Sequence, residues 1–232
     1  MTGRGLKQTL TYVGRTTLGT HRAGFALLRL SPRLRPHLVA AATDVCIEGF
    51  PRSANSLAVH GFRLDNPTAR IAHHVHVPMQ VVRAAELGVP CAVLIRRPLD
   101  AIASLLIMSE EALPRRLAIS TYESFYERVA DRRDSLVLVE FEDVVSDPFV
   151  VARRVNDRFD VEFGVPEDPI DGRDRALESI HTANREPGRR GTALTVPSQE
   201  KESIKPRVLE ELTREPRIDR LAELYESLLA AR

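Results

Sequence analysis

The sequence predicts an α/β fold in three layers, a central, mainly parallel β-sheet flanked by helices. Three observations predict it. Four short apolar runs, Val45–Phe50, Ile71–Val77, Pro90–Ile95 and Leu136–Phe141, are rich in Val, Ile or Leu. Their hydrophobicity is near-continuous, as expected of strands covered on both faces in a parallel sheet. Helix-compatible sequence separates them, which supplies the crossovers that parallel strands need.

In chain order, residues 1–43 come first as a basic extension. They contain Arg4, Lys7, Arg15, Arg22, Arg29, Arg33 and Arg35 and no acidic residue. Leu6, Leu10, Val13 and Leu18 recur at near-helical spacing, so this segment reads as an amphipathic helix and loop. Two uses compete: packing on the domain that follows, or peripheral contact with an anionic membrane surface. The reading favours packing. Residues 44–232 then form the α/β domain, and 232 residues suit one such domain with an extension.

Within that domain Ser53–Phe62 opens the first crossover helix, Pro78–Leu87 makes the second and Pro98–Met108 the third, with prolines placed at first turns. Pro114–Arg133 is a long amphipathic candidate carrying Leu117, Tyr122, Phe125 and Val129 near one face. Residues 142–148 read as a turn into a helix ending near Phe159. Residues 164–198, rich in Pro, Gly, Arg and Asp, read as a long irregular segment. Glu200–Arg214 and Pro216–Ala231 read as closing helices.

The totals narrow the function classes. A net charge of +1 gives no global signal for nucleic-acid binding, and 28% charged residues suit a soluble surface. No apolar run approaches the ~18 residues of a membrane span. Cys46 and Cys91 both sit in strand-like runs and read as buried thiols of a reducing cytoplasm.

The chemistry concentrates at strand ends. The stretch GFPRSANS, Gly49 to Ser56, turns from strand directly into helix. Such a junction presents free backbone N–H groups and the positive helix end to an anion, and Arg52 adds a permanent forked charge. It is P-loop-like, yet lacks the Lys-Ser/Thr that an Mg²⁺-dependent loop carries. A second strand end, Ile95-Arg96-Arg97-Pro98, places Arg96 where ligands of open α/β sheets bind, with Ser104 two helical turns on. The run His73-His74-Val75-His76 offers three imidazoles. On a strand, His74 and His76 would face one way and His73 the other. Zinc ligation, a structural role and acid–base work are the alternatives; no Cys-x-x-Cys or His-Glu-x-x-His pattern supports the metal.

Taken together, these residues resemble the sulfotransferase family, enzymes that use 3′-phosphoadenosine 5′-phosphosulfate (PAPS). Pro51-Arg52-Ser53-Ala54-Asn55-Ser56 is similar to that family's 5′-phosphosulfate loop, and Arg96 with Ser104 to its grip on the 3′-phosphate. Val75-His76-Val77-Pro78 looks like the segment bearing its catalytic base. Val139-Glu140-Phe141-Glu142-Asp143 with Asp147-Pro148 resembles its Tyr-Glu-Asp…Asp-Pro stretch. Arg189-Arg190-Gly191 resembles the segment that closes over the 3′-phosphate. The resemblance spans residues 44–206 in matching order.

It implies a three-layer P-loop-like fold and sulfonyl transfer from PAPS to an acceptor hydroxyl, or an amine, without a metal. His76 and Arg52 would be catalytic. Arg52, Ser53, Ala54, Asn55, Ser56, Leu57, Arg96, Ser104, Phe141, Arg189, Arg190 and Gly191 would hold the donor. The acceptor would be a small molecule, a sugar or a lipid; the setting would be cytoplasmic, with or without membrane association, and a homodimer stays open. Three positions depart from the family pattern: Ala54 stands for a glycine, Leu57 for a Trp and Phe141 for a Tyr. A small-molecule kinase and a non-catalytic nucleotide-binding protein are the alternatives; the first would need ATP and Mg²⁺.

Overall fold

The computed structural model describes residues 3–110, 112–167, 169–185 and 199–230. Two helices, α1 (Gly3–Leu18) and α2 (Arg22–Leu28), precede the sheet. Then follow β1 (Val45–Gly49), α3 (Asn55–Asp65), β2 (Ile71–His73), α4 (Pro78–Leu87), β3 (Cys91–Ile95), α5 (Pro98–Met108), α6 (Arg115–Ala130) and β4 (Val137–Glu140). The chain goes on through α7 (Phe141–Ser146), α8 (Val150–Phe159), α9 (Pro169–Arg185), α10 (Gln199–Thr213) and α11 (Arg217–Ala230).

All four strands are parallel, in the order β2-β1-β3-β4. Alternation along each strand divides the core in two. Val45 and Ile47 of β1, with Ala92 and Leu94 of β3, face α3, α8 and α9 through Ala58, Val59, Phe62, Val151, Val155, Ala176 and Ile180. Cys46, Cys91, Val93 and Ile95 face the opposite way, onto α4, α5, α6 and the C-terminal pair α10 and α11. Phe25, Leu28, Leu38 and Val39, from before β1, are buried in that second core. The three-layer α/β reading holds, because runs covered on both faces had to be apolar at nearly every position.

Three local expectations change. The run Ile71–Val77 is strand only to His73, since His74 and His76 take left-handed backbone, φ 58° and 54°. The segment from 142 to 148 is mostly helix, α7. Part of the region read as irregular is the 17-residue α9. It packs on α3, and Gly172 lies so close to Phe149 that an added Cβ would stand 2.2 Å from the ring. Arg189, Arg190 and Gly191 lie outside the described residues. No helix among the described residues is long and apolar enough to cross a membrane.

Candidate functional site

The strand order makes the site. The chain leaves β1 towards β2 on one side and reaches β3 on the other, so the connections diverge at the carboxyl ends of β1 and β3, where open α/β sheets take ligands. Gly49, at the end of β1, pairs with Leu94 of β3. A Cβ there would stand 2.5 Å from Leu94 O and 3.1 Å from Asn55 Oδ1, so only glycine lets the two strands and the following loop meet.

The loop after Gly49 is buried and strained. Arg52 and Ala54 both have left-handed backbone, φ 74° and 64°, and Ala54 caps α3 with no side-chain hydrogen bond. The Asn55 amide donates to Phe50 O at 3.0 Å, and Phe50 N reaches the Tyr126 hydroxyl at 3.4 Å. The same hydroxyl donates to Leu94 O at 2.8 Å, so α6 clamps the loop and β3 together. Ser53 is fully buried, with its hydroxyl beside that of Tyr126. Left-handed residues just before a helix turn successive N–H groups inward and form an anion-binding concavity.

Two arginines anchor on this loop and the helix beside it. Arg96 donates to Arg52 O at 2.9 Å, and its guanidinium carbon sits over the Phe141 ring, 3.9 Å from its centroid. Arg52 Nε donates to Ser104 Oγ at 2.9 Å. Neither arginine has a carboxylate within ion-pair distance among the described residues. Burial lowers the pKa of both; Arg96 lowers that of Arg52 further, while Asp100 and Glu142 act on Arg96 from a distance in the opposite sense. Two adjacent, partly desolvated cations without a counter-charge form a site for an anion.

The third side belongs to the histidines and Glu48. Both Glu48 oxygens are used: Oε1 accepts from Val75 N at 2.7 Å and Oε2 from His76 N at 2.9 Å. Burial pushes the Glu48 carboxyl up to about 7, against the pull of those N–H groups and of Arg15. This bonding ends β2 early, for it takes the N–H groups that a longer strand would pair. His76 Nδ1 lies 2.8 Å from Gly49 O. A carbonyl only accepts, so Nδ1 carries the proton and Nε2 has the free lone pair. Burial, with Arg15 and His74 adding to it, lowers the His76 pKa well below the usual imidazole value and keeps the ring neutral.

The structure therefore brings Arg52, Ser53, Ala54, Asn55, Ser56, Arg96, Ser104, Phe141 and His76 to one edge of the sheet. Leu57 is buried in the core under the loop. One face of the Phe141 ring is already taken by Arg96. His73, His74 and His76 do not divide across a strand, and no group of metal-ligating side chains occurs among the described residues. Sequence reasoning missed Glu48, Tyr126 and Arg15. A glutamate inside an apolar strand was the available signal for the first. Arg15 acts on Glu48, His74 and His76, and its Nε is buried without a hydrogen-bond partner. Its helix is held near them by the Met79 N to Gly19 O bond of 3.1 Å. Two surface clefts of about 300 and 330 Å³ lie elsewhere, one bordered by Glu123, Glu127 and Arg220, the other by His21, Arg22 and Arg128.

No protein-family model and no curated protein matches this chain. Among solved structures it is similar to mouse sulfotransferase SULT7A1 complexed with PAP, with 11% sequence identity and a TM-score of 0.48, covering 82% of this chain and 90% of that one.

Proposed function

We propose that this chain is a sulfotransferase that moves a sulfonate group from PAPS to an acceptor hydroxyl, or to an amine, and releases 3′-phosphoadenosine 5′-phosphate (PAP). The observation that carries the reading is the pairing of Arg52 and Arg96 beside a neutral histidine. The two guanidiniums sit at adjacent strand ends with no carboxylate partner, and His76 presents an unprotonated Nε2 nearby. The residues fit a ligand with several separated negative charges. Charge-assisted hydrogen bonds are about twice as strong as neutral ones, so two arginines and a cradle of N–H groups can replace a metal.

Bound PAPS would supply the sulfonate and the leaving 5′-phosphate. The loop N–H groups and Arg52 hold the 5′ side, and Arg52 offsets charge that builds as the sulfur–oxygen bond to that phosphate breaks. Arginine does not give up its proton near neutral pH, so Arg52 acts by charge and position. Arg96, and Arg190 from outside the described residues, take the 3′ side; Ser104, which accepts from Arg52, links the two ends of the donor site. His76 receives the acceptor proton on Nε2, while Gly49 O fixes the ring tautomer. The acceptor is a small molecule, a sugar or a lipid, and residues 44–232 form the catalytic domain.

Calorimetry with PAP, AMP and ATP, each with and without EDTA, tests the reading. PAP should bind roughly tenfold to over a hundredfold more tightly than AMP, since losing a charge-assisted contact costs ~1.5–3 kcal/mol. EDTA should change nothing. Equal affinity for PAP and AMP, or binding of ATP that depends on Mg²⁺, would overturn it.

A further inference from the structure

We propose that His73 and His74 form a one-way hydrogen-bonded relay that runs from Arg63 to Ser56 and fixes the Ser56 hydroxyl as a donor towards the anion held by the loop. The chain of contacts is continuous. Arg63 Nη2 lies 2.9 Å from His73 Nε2, His73 Nδ1 lies 2.6 Å from His74 Nδ1, and His74 Nε2 lies 3.0 Å from Ser56 Oγ. A guanidinium only donates, so His73 Nε2 accepts. A neutral imidazole carries one proton, which therefore sits on His73 Nδ1. His74 Nδ1 must then accept, and its proton sits on Nε2, pointing at Ser56 Oγ. Each link settles the next.

Both rings stay neutral. Burial, reinforced by the charges of Arg63 and by the neighbouring imidazoles, lowers His73 to about 2 and His74 to about 3. His37 Nδ1 also approaches His73 Nε2, at 3.3 Å, but the single lone pair of Nε2 goes to the closer Arg63. At the far end Ser56 accepts from His74, and no acceptor for its own proton occurs among the described residues. The usual recourse of a helix serine, the carbonyl one turn back, is Arg52 O, and that carbonyl is already engaged by Arg96. Ser56 is the second residue of α3, three positions after the buried Ser53 of the loop. The left-handed backbone of His74, φ 58°, is the cost of aiming its ring at the loop. His73 and His74 are thus positioning residues: neither touches the ligand, and the sense of their hydrogen bonds decides what Ser56 offers it.

The inference rests on the proposed function only for the identity of the anion, and its test separates the two. Ring ¹⁵N NMR of the full chain, assigned with single-histidine variants, reads the tautomers directly. The expected result is Nδ1–H for His73 and Nε2–H for His74; any other pair overturns the relay whatever the protein binds. Titration of PAP, and separately of inorganic sulfate, into wild type, Ser56→Ala, His74→Asn and the double variant tests its purpose. Asparagine accepts left-handed backbone, so the fold survives that change. Each single variant should lose about tenfold in affinity, as expected for one hydrogen bond to a charged group, and the double variant should lose no more than either alone. Full additivity, or unchanged affinity in His74→Asn, would overturn the relay. If sulfate follows this pattern while PAP does not bind, the relay stands and the PAPS reading falls. If neither binds, the tautomers alone decide.

Discussion

Lowering the pH from 7 to 5.5 should destabilise the fold by about 2 kcal/mol, and the buried histidines are the cause. His73, His74 and His76 are all held neutral in the folded state, at about 2, about 3 and well below the usual value respectively. In the unfolded chain each titrates near 6.5. A depressed histidine contributes stability that is present above its unfolded pKa and drains away as the pH falls below it. Across this interval each loses about 1 kcal/mol, or roughly 3–4 kcal/mol for the three. Glu48 runs the other way: its carboxyl is raised to about 7, so its proton favours the folded state more as the pH falls, returning about 1–2 kcal/mol. Asp44 and Glu86, held low by Arg70 and Arg83, act only below about pH 4.5 and do not enter. Urea unfolding at the two pH values, read by fluorescence and circular dichroism, measures the difference. His74→Asn should remove about one third of the histidine loss. Equal stability at pH 7 and 5.5, or greater stability at 5.5, would refute the burial of neutral imidazoles at this edge.

Other consequences are as specific. Gly49→Ala should cost about 1–3 kcal/mol in thermal or chemical unfolding, because its Cβ would meet a β3 carbonyl that the sheet holds in place. Tyr126→Phe should cost about 1 kcal/mol, since its hydroxyl serves Leu94 O and Phe50 N at once. Removing residues 1–41 takes away Phe25, Leu28, Leu38 and Val39, whose burial is worth about 1.5–3 kcal/mol each, a sum comparable with the stability of a whole domain. Circular dichroism of the shortened chain should show an unfolded protein; a folded one that no longer sediments with anionic liposomes would favour the membrane role of the basic segment instead. Arg15→Met should raise the Glu48 pKa further, seen as an upward shift of the carboxyl ¹³C titration, because the cation now holds it down.

The parts of the fold legible in the sequence were those set by local composition. β1 and β3 are apolar at nearly every position because both faces are covered, and Pro78 and Pro98 marked helix starts that the structure keeps. β2 was overextended because Val75 and Val77 are apolar, and both are indeed buried. What ends the strand is a carboxylate 27 residues earlier in the chain, which no local pattern announces. α9 was hidden by its Pro, Gly and charged residues. Its buried positions, Gly172, Ala176 and Ile180, do recur every four residues, but two of the three are too small to register as hydrophobic. At the site, Arg52 and Arg96 were legible from their strand-end positions. Their contact, and the direction of the histidine chain, depend on atoms that meet only after folding.

The C-terminal helices also bear on how this protein is made. α10 and α11 pack on α5 and α6, and add Val208, Leu212, Leu221, Tyr225 and Leu228 to the core on that side of the sheet. While the ribosome is still adding these residues, β1, β3 and the helices over them have already emerged with an apolar surface uncovered. At ~5–20 residues per second, the interval between the appearance of β4 and that of α11 is several seconds. During it the nascent chain offers chaperones an exposed hydrophobic face, while the opposite face, closed by α3, α8 and α9, is already complete.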